Sequence, residues 1–107
     1  MAKRQATSSE KAHLGKVASL GCVAGAVTDA GRCGSPAEVH HLTGAGMGLR
    51  AGHYETIPLC PYHHRHGPFG EAVHNGTRTF EKKYGHQRVL LQFTMNEITK
   101  KEKNNGF

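Results

Sequence analysis

The chain contains no tryptophan and no long apolar run, and its 107 residues include only 36% hydrophobic residues. A domain of this size buries a modest core, so an additional stabilising element such as a structural metal would suit it. No segment approaches the roughly 20 apolar residues of a membrane helix. The charged N-terminus is not followed by the apolar region of a signal peptide. These absences predict a single cytoplasmic domain without membrane contact.

Cysteine is also scarce, since the chain has only Cys22, Cys33 and Cys60. An odd number of cysteines argues against a framework made of disulfides alone. In a reducing compartment, such residues are better explained as metal ligands or as buried apolar groups.

Basic charge is concentrated at the two ends of the chain. The formal net charge is +6, of which residues 1–16 contribute +3, residues 17–77 contribute −1 and residues 78–107 contribute +4. Basic ends suit a polyanion such as DNA, because lysine and arginine release its condensed counterions. Ordinary solvated tails are the alternative interpretation.

The patterning predicts an α+β fold. Thr7 and Glu10 match a capping box, which should open a helix that runs to Ser19. Residues 21–36 are rich in glycine and are predicted to form turns. Short strands are predicted at 37–42 and 54–59, a helical turn at 61–66, and helices at 77–84 and 86–101. Gly85 should stop the first of these two helices. The second should cover the core with the apolar residues Val89, Leu91, Phe93, Met95 and Ile98.

Histidine is abundant, with nine residues in the chain. Imidazole binds metals and titrates near neutral pH, so it can both hold an ion and take a proton from water. Neighbours on a strand point to opposite faces, so His40 and His41 are better explained as one ligand and one base than as two ligands. Directions on a helical turn differ by about 100° per residue, which assigns His63 and His64 to different sites. Cys60 and His63 have the three-residue spacing of structural zinc ligands. The residues His13, His53, His66 and His86 are interpreted as ordinary surface or core positions.

Several motifs together resemble the Ref family of phage recombination-enhancement nucleases, which are RecA-dependent DNA endonucleases of the HNH superfamily. They are Leu20-Gly-Cys22, Ser35-Pro-Ala-Glu-Val-His-His-Leu42, Gly44-Ala-Gly-Met-Gly48, Ile57-Pro-Leu-Cys-Pro-Tyr-His-His-Arg65, His74, Gly76 and Phe80-Glu-Lys-Lys-Tyr-Gly85. The similarity extends over about residues 12–95, and the two double-histidine motifs make it specific.

The resemblance implies a small HNH ββα-metal core, formed by the two strands and the turn after Cys60, with flanking N- and C-terminal helices. It implies that His40 is a metal ligand and that His41 is the general base. His64 and His74 would complete the catalytic metal site. Cys22, Cys60 and His63 would bind a second, structural zinc ion.

Two positions depart from the family pattern. Relatives usually show Cys-x-x-Cys at the first zinc pair, whereas this chain has Gly25 in place of the second cysteine, so Cys33 is the available substitute. The central asparagine of HNH is absent as well, and Glu55 and Thr56 occupy its region.

The resemblance further implies a phage or prophage origin, a bacterial cytoplasm and a RecA filament as partner. Residues 1–11 are expected to be a basic flexible tail, residues 12–102 the nuclease domain and residues 103–107 a frayed end.

The predicted reaction is hydrolysis of DNA phosphodiester bonds by a monomer that uses a structural Zn²⁺ and a catalytic Mg²⁺, Mn²⁺ or Zn²⁺. A backbone carbonyl of the second strand or the carboxylate of Glu55 would orient His41. The candidate DNA contacts are Lys3, Arg4, Lys11, Lys16, Arg50 and Arg65, with Lys100, Lys101 and Lys103 near the C-terminus. Two other classes remain open. A zinc-stabilised nucleic-acid-binding module would leave four histidines unexplained, and a small-molecule hydrolase would not explain the basic ends.

Overall fold

The protein has an α+β architecture in a computed structural model. The structure describes residues 5–28, 33, 37–43 and 52–104. The elements in chain order are α1 (Ser8–Ser19), α2 (Val23–Ala26), β1 (Glu38–His41), β2 (Thr56–Leu59), a π-helix (Tyr62–His66), α3 (Thr77–Tyr84) and α4 (Gln87–Lys103). No helix in these ranges is long and apolar enough to cross a membrane.

Helix α1 begins where the capping box predicts. The side chain of Thr7 accepts a hydrogen bond from the backbone N–H of Glu10, and the carboxylate of Glu10 accepts from the backbone N–H of Thr7. Two backbone donors that a helix start leaves unpaired are thereby satisfied. Residues 8–11, which belong to the predicted flexible tail, are therefore helical, and residues 1–4 lie outside the described part of the chain.

The two strands pair in antiparallel register, with His40 opposite Ile57 and His41 opposite Thr56. Both are shorter than predicted. All four residues of β2 are buried, because α1 and α4 both pack on this strand. In β1, by contrast, only His40 is fully buried.

Helix α3 has the predicted bounds and is followed by Gly85, whose φ of 113° favours glycine. The predicted core face of α4 is confirmed only in part, since Ile98 is buried and Leu91 and Phe93 pack against the core. The helix buries Gln87, Leu90, Thr94 and Ile98, whereas Val89 is 63% exposed. Apolar periodicity did not predict the burial of Gln87 and Thr94, because these two residues are polar.

The hydrophobic core contains cysteines as well as aliphatic and aromatic side chains. Ile57, Leu59, Phe80 and Leu90 are at most 1% exposed, and Cys22 and Cys60 belong to the same cluster. The segment predicted as turns over 21–36 instead includes the single helical turn α2, with the buried residues Val23 and Ala24. The cysteine cluster is thus part of the core itself.

Candidate metal centres

The segment that follows β2 positions two imidazoles in different directions. Pro61 precedes the π-helix, which ends with a hydrogen bond from the N–H of Gly67 to the carbonyl of Tyr62. The sequence predicted a helical turn here but not its wider π winding, a geometry that is frequent at functional sites. His63 contacts the cysteines, whereas His64 contacts His74.

The first centre, which we call the cysteine centre, consists of Cys22, Cys33, Cys60 and His63. Their potential ligand atoms all lie within 4.8 Å of one another. The three Sγ atoms are 3.5, 3.3 and 3.2 Å from Nδ1 of His63. The structure thus brings together the four residues predicted as zinc ligands, Cys33 among them.

This donor set fits a zinc ion. With bonds of about 2.3 Å to sulfur and about 2.0 Å to nitrogen, tetrahedral zinc separates these ligands by about 3.5 Å. Burial and the neighbouring thiols raise the pKa of Cys33 to about 12, and burial also raises the pKa of Cys22. Thiolates in this environment therefore require a cation among them.

The tautomer of His63 is determined by its other ring nitrogen. Hydrogen bonds from Lys83 and Tyr84 lower the pKa of Glu71, so this carboxylate is ionised. Tyr84 Oη therefore donates to Glu71, at 2.6 Å, and accepts from Nε2–H of His63, at 3.2 Å. The lone pair of His63 is consequently on Nδ1, which faces the three sulfurs. Such a partner for the outer nitrogen is typical of metal-bound histidine.

The second centre, which we also call the three-histidine centre, consists of His40, His64 and His74. Their potential ligand atoms also lie within 4.8 Å of one another. The three ring centroids are 4.8–5.1 Å apart. His40 is 1% exposed and His64 is 4% exposed, whereas His74 is exposed. Burial, with the nearby histidines, lowers the pKa of His40 to about 4, so this ring is neutral at pH 7.

The hydrogen bonds around the second centre also suit a metal. Nδ1 of His64 donates to Glu38 at 2.7 Å, which leaves the lone pair on Nε2. This Nε2 is 3.2 Å from Nε2 of His74. Nitrogens that bind the same tetrahedral zinc are separated by about 3.3 Å. Three imidazoles leave coordination positions for water and substrate.

His74 is held in place by backbone hydrogen bonds from the turn that carries it. The N–H groups of Val73 and His74 donate to the carbonyls of His63 and His64, at 2.8 and 3.1 Å. Gly76 ends the turn with φ of 89°, and a Cβ there would lie 2.8 Å from the Phe69 ring. Glycine is therefore required at this position.

His41 occupies a separate environment, as strand alternation predicts for a neighbour of His40. Its Nε2 lies 2.9 Å from Nδ1 of His53, for which the sequence predicts only an ordinary surface or core position. Glu55, one of the predicted partners of His41, pairs with Arg88 and accepts from the N–H of Gly52.

The predicted DNA contacts fall into three groups. Lys3, Arg4 and Arg50 lie outside the described residues. Lys11 and Arg65 are exposed, and Arg65 Nε is 3.7 Å from Glu38. Lys16 forms an ion pair with Glu102 at 2.7 Å.

Sequence reasoning assigned no role to Glu38, His53, Tyr84 or Gln87. Only Glu38 had a usable signal, since it lies two residues before His40 and therefore on the same face of β1. The others reach the histidines from distant segments; Nε2 of His40, for example, is 2.9 Å from Oε1 of Gln87.

Comparisons with known proteins agree with the sequence motifs. The model of a family described as recombination enhancement, RecA-dependent nuclease matches residues 6–99. The uncharacterized protein YdfU of Escherichia coli (strain K12) is 41% identical over 63 residues, covering 55% of this chain and 16% of that protein. The chain therefore corresponds to a small part of this curated relative. No solved structure is significantly similar to the chain.

Proposed function

The chain belongs to the family of recombination-enhancement, RecA-dependent nucleases, and we propose that it is a metal-dependent DNA endonuclease with an HNH-type ββα-metal core. In this proposal β1, β2 and the π-helix form the core. The single observation that carries the proposal is the convergence of His40, His64 and His74. Their arrangement is open at the exposed His74, where a phosphate can approach.

Each of the two centres has its own role. Cys22, Cys33, Cys60 and His63 hold a structural Zn²⁺, since four protein ligands close its coordination. His40, His64 and His74 hold the catalytic ion, which is Mg²⁺, Mn²⁺ or Zn²⁺. When bound, this ion supplies Lewis-acid stabilisation of the negative charge that develops on the phosphate oxygens and the leaving oxygen.

His41 acts as the general base. It is partly exposed at the end of β1, where the chain leaves the sheet. It accepts a proton from the attacking water, whose oxygen forms a bond to phosphorus while the bond to the departing 3′ oxygen breaks. A positioned base of this kind typically contributes about 10²–10⁴ in rate. His53 supports this role, because its hydrogen bond restricts the orientation of the His41 ring.

The substrate contacts are made mainly to phosphates. Arg65 is exposed beside His64, and its guanidinium is suited to a phosphate near the second centre. Lys11 and the basic ends add attraction that is independent of sequence. The family further supports a RecA filament as partner, and we propose that the protein is a monomer.

A cleavage assay tests the proposal. Purified protein is incubated with single- and double-stranded DNA and with Mg²⁺, Mn²⁺ or Zn²⁺, in the presence and absence of RecA filaments. Cleavage should appear, stop on chelation and be lost in His74→Ala. The matched control is His66→Ala, which removes an exposed imidazole of the π-helix outside both centres and should retain cleavage. Binding without cleavage under every condition would instead support a zinc-stabilised nucleic-acid-binding module, which needs only the cysteine-containing centre.

A further inference from the structure

Gln87, the first residue of α4, has a buried side chain that uses all of its hydrogen-bonding capacity. The residue is 2% exposed. Its Oε1 lies 2.9 Å from Nε2 of His40 and 3.0 Å from the backbone N of Thr43. Its Nε2 lies 2.8 Å from Oγ1 of Thr43 and 3.2 Å from Oε2 of Glu81. An amide has two lone pairs and two N–H donors, and all four are engaged here.

Two of these neighbours determine which end of the amide is oxygen. The backbone N–H of Thr43 can only donate, so an oxygen must face it. The carboxylate of Glu81 accepts when ionised, so the NH₂ group must face it. A flipped amide would oppose donor to donor at Thr43 and acceptor to acceptor at Glu81. Each buried group mismatched in this way would lose its hydrogen bond and keep the full penalty of its desolvation.

The fixed amide then determines the tautomer of His40. Oε1 of Gln87 can only accept, so Nε2 of His40 must carry the proton and the lone pair must be on Nδ1. His64 has the opposite arrangement, because Glu38 accepts from its Nδ1. Two ligands of one centre are therefore held in different tautomers by partners from different elements.

We propose that Gln87 is a positioning residue of the three-histidine centre, which holds His40 in the Nε2–H tautomer so that Nδ1 binds the ion. This inference rests on the proposed role of His40 as a ligand. Through the same amide, the centre is connected to Thr43 after β1 and to Glu81 of α3. Partners of this kind typically contribute 10- to 100-fold to metal affinity.

Three variants separate the contacts of Gln87. Gln87→Met preserves the approximate volume and removes both acceptor and donor. Gln87→Glu keeps an acceptor for His40 but opposes a second carboxylate to Glu81. The double variant Gln87→Glu with Glu81→Gln supplies an N–H donor again. The matched control is Gln92→Met in the same helix, since Gln92 is exposed and its side chain donates to Asn96 within α4.

The experiment measures metal binding rather than cleavage. Zn²⁺ is titrated calorimetrically into protein whose cysteine centre is already loaded, and long-range ¹H–¹⁵N spectra of the histidine rings report the tautomer of His40. We expect Gln87→Met to weaken the second binding event about 10- to 100-fold and to lose the pure Nε2–H signature. Gln87→Glu should keep that signature and bind more weakly than the double variant. The control should match the unmodified protein.

The outcomes distinguish this inference from the proposed function. If Gln87→Met binds Zn²⁺ within about twofold of the unmodified protein, or if His40 is protonated on Nδ1 in the loaded protein, the role of Gln87 is refuted. If the unmodified chain binds no second ion, the proposed catalytic centre is refuted. Folding of each variant is verified in a separate sample with Co²⁺ bound to the cysteine centre, whose cobalt–thiolate absorption reports an intact site. Should Gln87→Met fail to fold, weaker binding by Gln87→Glu than by the double variant would support the role, and equal binding would refute it.

Discussion

Replacing Cys60 with serine should destabilise the whole domain, whereas removing a ligand of the second centre should not. Cys60 is 2% exposed, belongs to the hydrophobic core and lies 3.2 Å from Nδ1 of His63. Serine is a poor zinc ligand because its hydroxyl remains protonated at neutral pH. Cys60→Ser therefore removes one of four ligands and leaves a hydroxyl in an apolar environment.

The size of the destabilisation follows from comparing the free energy of zinc binding with the total stability of the domain. Structural zinc supplies about 10–16 kcal/mol of apparent binding free energy in zinc-finger peptides, and this is folding free energy. Total domain stabilities are only about 5–15 kcal/mol. A loss of even about 4 kcal/mol would lower Tm by about 16 °C or more, at roughly 4–8 °C per kcal/mol for a domain of this size. We therefore expect Cys60→Ser to lower Tm by at least this amount or to abolish cooperative unfolding.

Two comparisons make the assay specific. Ala24→Ser introduces a hydroxyl at a 0% exposed position of the same core without replacing a ligand, and it should cost about 1–3 kcal/mol. His74→Ala should reduce the metal content from about two ions to about one, with little change in Tm, because His74 is exposed. Thermal unfolding by circular dichroism is paired with metal analysis of each variant. If Cys60→Ser unfolded at the temperature of Ala24→Ser, or retained both ions, the structural role of this centre would be refuted.

Three further predictions concern the base, the thiols and the tail. His41→Ala should abolish DNA cleavage and leave Tm and metal content almost unchanged; loss of an ion would show that His41 is a ligand. Because the pKa values of Cys22 and Cys33 are raised, binding of one ion to Cys22, Cys33, Cys60 and His63 at pH 7 should release about two to three protons, so the affinity of this centre should rise with pH. Calorimetry in buffers of different ionisation enthalpy measures this release, and no release would contradict a thiolate site. Deleting residues 1–6 removes Lys3 and Arg4, and it should reduce the slope of log affinity for duplex DNA against log salt concentration by up to about two units. Cleavage at saturating enzyme should change little. Binding is measured in the His41→Ala background, where an unchanged slope would exclude the tail from the DNA-contacting surface.

Features that depend on neighbouring residues could be predicted from the sequence. The capping box of Thr7 and Glu10 sets the start of α1, and Gly85 ends α3. Alternation along β1 and the angular step of a helical turn separated His40 from His41 and His63 from His64. These are local geometric rules that need no knowledge of the tertiary fold.

Features that depend on distant polar partners could not be predicted. Gln87 and Thr94 are buried in α4 because hydrogen bonds satisfy them, to His40 and Thr43 in the first case and to the carbonyl of Leu90 in the second. Hydrophobic periodicity does not identify buried polar residues whose hydrogen bonds are satisfied, so it missed these two residues and included the exposed Val89. The contact between His41 and His53 also depends on tertiary placement.

The two centres are mechanically connected through one short segment, and the connection is asymmetric. His63 and His64 are consecutive but face different centres, and their carbonyls anchor the turn that carries His74. His64 of the second centre belongs to the segment that the cysteine centre holds. His74 is attached to the same segment by hydrogen bonds. The third, His40, is placed independently by β1 and Gln87. Loss of the cysteine centre should therefore also disorganise the second centre, whereas loss of the exposed His74 should leave the cysteine centre and the core intact.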